Sequence, residues 1–175
     1  MELTELSAAV LKELEGRGWK IERSTSREPL LPAAIGARYP RIPGELLSFL
    51  QSIDSCTNAN EDIWFLCRAD FVRGDEGFRW NEFEAMTLEY DHEAEYKAQV
   101  RAFWDRHFPF MMAAHSDYDY LAVSLDERSF GKVVHGCGDD FLEPSDVAPS
   151  FAAFLEQFKK FVASGRDDYP LGNFV

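Results

Sequence analysis

The chain has 175 residues, 46% of them apolar, and a formal net charge of −13. That length suits one domain, or one domain with a short appendage, and so much hydrophobe excludes a disordered chain. The acid surplus argues against nucleic acid as a direct partner, because phosphate binding needs extra Lys and Arg, and no apolar run approaches the roughly 20 residues of a membrane-spanning helix.

Residues 3–15 read as an amphipathic helix, with Leu3, Leu6, Val10, Leu11 and Leu14 on one side and Gly16 and Gly18 as the stop. The acidic start, Met1 to Glu5, does not resemble a secretory signal. Three widely spaced cysteines, Cys56, Cys67 and Cys137, fit a reduced, cytoplasmic setting. Trp19 to Arg23 alternates like a strand. Residues 24–44 carry Pro29, Pro32, Gly36, Pro40, Pro43 and Gly44, which predicts turns and extended chain.

Pro43 opens the next predicted helix, with Leu46, Phe49, Leu50 and Ile53 at helical spacing and an end near Asp54 and Ser55. Ile63 to Cys67 reads as a strand. Residues 73–77 read as a loop, and Phe78 to Glu84 shows no clean period. A third helix carries Tyr96, Val100, Phe103, Trp104 and His107 on one stripe and stops before Pro109. Three strands follow, at 110–114, 118–125 and 132–135, separated by polar or Gly-containing turns that suit antiparallel hairpins. Pro149 starts the last helix, lined by Phe151, Phe154, Leu155, Phe158 and Val162, and Gly165 is its C-cap. The tail reads as loose, with Tyr169, Leu171 and Phe174 able to dock. Fifteen Phe against six Tyr and four Trp predict a Phe-filled core. The expected fold is α+β, a single domain with an antiparallel sheet flanked by about four helices.

The charge is regional. Residues 70–95 hold nine acids and two bases, and residues 109–148 hold eight acids and two bases. If these segments adjoin, they form a negative face for a cationic partner. Aromatic residues beside them, Trp64, Trp80, Tyr118 and Tyr120, have the composition of interface anchors, although Trp64 sits in an apolar run that suits a core.

Two catalytic readings compete with binding. His115, Asp117 and Asp119 recur every second residue, so a strand would align them, and His135 could join them around a metal. Asp-rich turns are also ordinary structure. A Cys–His pair could draw on Cys137 or Cys67 with His115 or His135, but no nucleophile elbow surrounds either cysteine, and Cys67 has the setting of a buried hydrophobe. His107, on an apolar helical stripe, reads as a core histidine, and His92 as a solvated one.

Several motifs taken together resemble a known family. Tyr39-Pro40-Arg41-Ile42-Pro43-Gly44-Glu45-Leu46-Leu47-Ser48-Phe49-Leu50 resembles the opening of the SUKH superfamily, the Smi/Knr-type domains. Trp64-Phe65-Leu66 through Phe78 to Glu84 is similar to a bacterial branch of it. Phe108-Pro109-Phe110, Asp117-Tyr118-Asp119-Tyr120-Leu121-Ala122 and Val147 to Leu155 resemble its strand entry, its Asp-Tyr strand and its closing helix. Two departures are Asp54 to Ala59, where an Asn-Gly turn is usual, and Ser116, where Gly precedes the Asp-Tyr pair. The resemblance covers residues 39–164 and divides the chain into a helix and connector at 1–38, the SUKH-like domain, and a tail at 165–175. It implies a non-catalytic protein-binding domain without a cofactor, of the kind that protects a bacterial cell by blocking a toxin, often a nuclease. The regional charge and its neighbouring aromatics then make Trp80, Asp117, Tyr118, Asp119, Asp139 and Asp140 the expected partner-binding face. The alternatives are a metal-dependent hydrolase using His115, Asp117, Asp119 and His135, and a regulatory scaffold.

Overall fold

Seven strands pair antiparallel in the order in which the chain makes them: β1 (Lys20–Arg23), β2 (Ile53–Thr57), β3 (Ile63–Phe65), β4 (His107–Ala113), β5 (Asp119–Ser124), β6 (Val133–Cys137) and β7 (Ser145–Ala148). A computed structural model describes residues 3–73, 77–90, 93–115, 118–137 and 141–175. Among the described residues seven α-helices accompany the sheet: α1 (Leu3–Gly16), α2 (Ala33–Arg38), α3 (Gly44–Gln51), α4 (Arg68–Val72), α5 (Glu82–Glu89), α6 (Ala94–Trp104) and α7 (Phe151–Ser164). The fold is α+β, and no helix is long and apolar enough to cross a membrane among these residues.

The last helix shows how local signals set position. Ser150 Oγ accepts the Ala153 amide at 3.2 Å, capping α7, and Gly165 closes it at φ 68°. Between them Phe151, Phe154, Leu155, Phe158 and Val162 are buried on one stripe. That stripe meets Phe110 of β4, with ring centroids 5.4 Å from both Phe151 and Phe154, and Phe65 of β3, 6.2 Å from Phe158. Phe49 of α3 joins at 5.1 Å from Phe65. Such offset and edge-on ring pairs add to burial and make the Phe-filled core.

Helices cover the middle of the sheet on both sides, so all six residues of β5 are buried. On the side away from α7, Tyr120 packs under Trp104 of α6 at 4.9 Å and near Phe83 of α5 at 6.0 Å. Pro109 lies inside β4, opposite Ala122, where a missing N–H would break a ladder. The register shifts between Pro109 and Met111, and the chain absorbs the proline at that bulge.

The structure departs from the sequence expectations in seven places. Ile53 is the first residue of β2, not the end of α3. Residues 33–38, inside the expected connector, are helical, as are 68–72 and 82–89. Ser145–Ala148 adds an edge strand. His107 belongs to β4 instead of α6, although it still stacks on Phe103 at 4.1 Å and donates from Nδ1 to the Phe103 carbonyl at 2.9 Å. The tail is docked: Leu171–Phe174 forms a 3-10 turn with Leu171 and Phe174 buried.

Candidate functional site

Strand register assembles a cluster of reactive side chains. Asp119 opens β5 and is the direct partner of Cys137 on β6. His135 lies two residues before Cys137, so the period of two places it on the same face. The His135 imidazole and the Asp119 carboxylate are each only 1% exposed, with Nε2 and Oδ1 2.6 Å apart. Asn173, from the docked tail, donates from Nδ2 to the same Asp119 oxygen at 3.1 Å. His115 Nε2 donates to the Asn173 carbonyl at 3.0 Å, which ties the end of β4 to the tail.

The opposite edge of the imidazole faces Tyr169. Its hydroxyl lies 3.5 Å from His135 Nδ1 and 3.3 Å from Cys137 Sγ. Tyr169 is 65% exposed, and Cys137 is half-buried beneath it. The hydrogen bond to Cys137 is the first cause that pushes the Tyr169 phenol up to about 12. Phe174 closes the inner side, edge-on to His135 at 5.8 Å. Donor atoms of Asp119, His135 and Cys137 all lie within 4.8 Å of one another. One carboxylate, one imidazole and one sulfur are three of the four ligands that zinc takes, so these residues could hold a metal. The 2.6 Å contact is a hydrogen bond as it stands, with Asp119 fixing the tautomer of His135.

A second feature is a cleft of about 460 Å³ lined by residues of the first three strands and of α4. Glu22, Asp54, Glu61 and Asp70 line it with Arg73, and Trp64 and Phe78 form an aromatic wall, their rings edge-on at 5.2 Å. Glu61 holds Lys20 at 2.6 Å, which lowers its carboxyl below the ordinary range. Asp70 accepts the Cys67 amide at 2.7 Å, and burial raises its carboxyl despite that bond. Glu22 and Asp54 show no ion pair among the described residues.

The expected binding residues meet different fates. Tyr118 is 36% exposed, in the left-handed region at φ 56°, with Phe78 and Phe83 both at 6.1 Å. Trp80 is half-buried and packs edge-on against Tyr39 at 6.0 Å, which is a packing role. Asp119 is not on a partner-facing surface at all: it is buried against His135. Asp117, Asp139 and Asp140 lie outside the described residues. Of the expected metal set, Asp119 and His135 meet, and His115 reaches them through Asn173. Cys137 and His135, one of the pairings open from sequence, do come together. Asn173 carried no sequence signal, because its role depends on where the tail docks.

The acid surplus is partly consumed inside the molecule. Glu84 is buried and holds Arg38 through two bonds of 2.7 and 2.8 Å, while Asp105 takes the same guanidinium at 2.8 Å. Glu82 pairs with Arg79, and Asp146 with Lys132, each at 2.8 Å. Compared with protein-family models and with curated proteins, the chain matches none.

Proposed function

We propose that the chain is a protein-binding domain that takes a cationic partner, and that the partner is a toxin which it neutralises by covering a basic surface. The observation that carries this reading is the open cleft. Glu22, Asp54, Glu61 and Asp70 line it beside Trp64 and Phe78. Carboxylates around a partly exposed aromatic wall suit a Lys- or Arg-rich segment, which would gain charge complementarity and apolar contact together. Tyr118 extends the aromatic surface from Phe78. The resemblance of residues 39–164 to SUKH domains supports the same class of role.

The test is capture of the product of a neighbouring toxin gene at increasing salt. Binding at low salt that weakens as salt rises, and that weakens in a Glu22→Gln, Asp54→Asn double variant, is the expected outcome. Capture that ignores both salt and the double variant defeats the electrostatic mechanism.

A further inference from the structure

Cys56, Cys67 and Cys137 occupy very different settings. Cys56 and Cys67 are 2% exposed, and burial pushes the Cys56 thiol up to about 12 and the Cys67 thiol higher still. Their surroundings disfavour the thiolate, the form that reacts. Cys137 is half-buried at the rim of the Asp119–His135 pair, with the Tyr169 hydroxyl against its sulfur.

We propose that Cys137 is a nucleophilic thiol served by a relay through Tyr169 and His135, oriented by Asp119, and that it takes small carbon electrophiles. Each link has its place in the geometry. Asp119, held by Asn173, accepts the Nε2 proton of His135 at 2.6 Å. That leaves the Nδ1 lone pair facing the Tyr169 hydroxyl at 3.5 Å. The hydroxyl lies 3.3 Å from Cys137 Sγ, where it can accept the S–H proton as it gives its own to Nδ1. A nucleophile, a base and a group that orients the base is the arrangement shared by cysteine and serine nucleophiles on many folds.

The step balances with a haloacetamide. The S–H proton passes to the tyrosine oxygen as the tyrosine proton passes to His135 Nδ1. Sulfur forms a bond to the methylene carbon, the carbon–iodine bond breaks, and iodide leaves. The imidazolium then returns its proton to water. The proposal is independent of the cleft, which lies over β1 to β3, so its failure would leave the cation-binding reading untouched.

The test is site-resolved alkylation of the full chain with iodoacetamide at pH 7, read by mass spectrometry. Rates in the folded protein and in the urea-unfolded protein are each scaled to N-acetylcysteine in the same buffer. Exposure alone cannot raise the folded rate above the unfolded one, whereas a working base can. A free thiol is only a few per cent thiolate at neutral pH, so the expected gain at Cys137 is about tenfold. Tyr169→Phe keeps the exposed ring and removes only the hydroxyl, and it should return the folded rate to the unfolded one or below. Cys56 and Cys67 should stay unlabelled until urea is added. A folded rate at Cys137 equal to or below the unfolded rate overturns the proposal, and so does a tenfold gain that survives Tyr169→Phe.

Discussion

His135 Nε2 and Asp119 Oδ1 lie 2.6 Å apart, sealed from solvent by the strands that carry them and by a tail that arrives from the far end of the chain. A pair in this setting is sensitive to the loss of either partner, because the survivor stays buried without its hydrogen bond. Asp119→Ala should destabilise the fold by about 3 kcal/mol. Asp119→Asn, which keeps an oxygen for the Nε2 proton, should cost less. Urea denaturation of both variants against the parent chain measures the difference.

The tail is part of the folded body. Phe174 is fully buried and touches the His135 ring. Phe174→Ala should cost about 3–5 kcal/mol, the loss seen when a core phenylalanine is truncated. It should also speed amide exchange at Asp119 and His135. A loss below about 0.5 kcal/mol, the size expected of a surface change, would mean that the tail is not seated.

These two predictions mark where the sequence stops being legible. Helices α1, α6 and α7 could be read because their apolar residues recur at helical spacing over eleven to fourteen residues. Helices α2 and α4, of six and five residues, are too short for a period to declare itself. Ile53 misled for the opposite reason. It completes the helical spacing of Leu46, Phe49 and Leu50, yet Ser52 caps α3 and the chain turns to pair with β1. The His135 and Asp119 contact needed the register of β5 on β6, and the Asn173 contact needed the docked tail. Neither is written in local pattern. The acid surplus was legible as a total but not in its placement: Glu84 and Asp119 are buried, while Glu22 and Asp54, outside both acidic segments, line the cleft.

Gly136 sits flat against the ring of its cross-strand partner Tyr120, and a Cβ there would run into the ring. Tyr120 cannot retreat, because it is wedged below Trp104 and its hydroxyl donates to the Phe141 carbonyl at 2.6 Å. Gly136→Ala should therefore cost about 1–3 kcal/mol. Gly36→Ala in α2 meets nothing within 4 Å and should be neutral or stabilising, by up to about 1 kcal/mol. Parallel thermal melts separate the two.

Burial holds the His107 imidazole below its ordinary pKa of 6.5, and Arg106 adds to that, opposed by the Phe103 carbonyl and Asp126. With the folded value depressed, the unfolded chain binds the proton more readily. Stability from this group is complete above about 6.5 and is lost as pH falls from there through the folded value. His107→Gln should show a smaller drop in urea midpoint than the parent between pH 7.5 and 5.5. An equal drop in both would assign the pH dependence to other groups.

Glu22→Gln with Asp54→Asn should change stability by less than about 0.5 kcal/mol, since both side chains are exposed. The same pair should slow association with a Lys-rich peptide, most clearly at low salt. Stopped-flow mixing at two ionic strengths reads the effect, and equal rates for parent and variant would remove the cleft from the recognition surface.

The meander also leaves two open borders, β1 and β7. β1 reads Lys-Ile-Glu-Arg, with Lys20, Glu22 and Arg23 exposed, and β7 offers only four residues, with Ser145 and Asp146 turned to water. Charged and brief margins discourage another copy from stitching itself on through main-chain pairing. Resistance to fibril growth is thus built into the outermost ladders, and trimming the chain before residue 24 would bare β2 and remove that guard on one side.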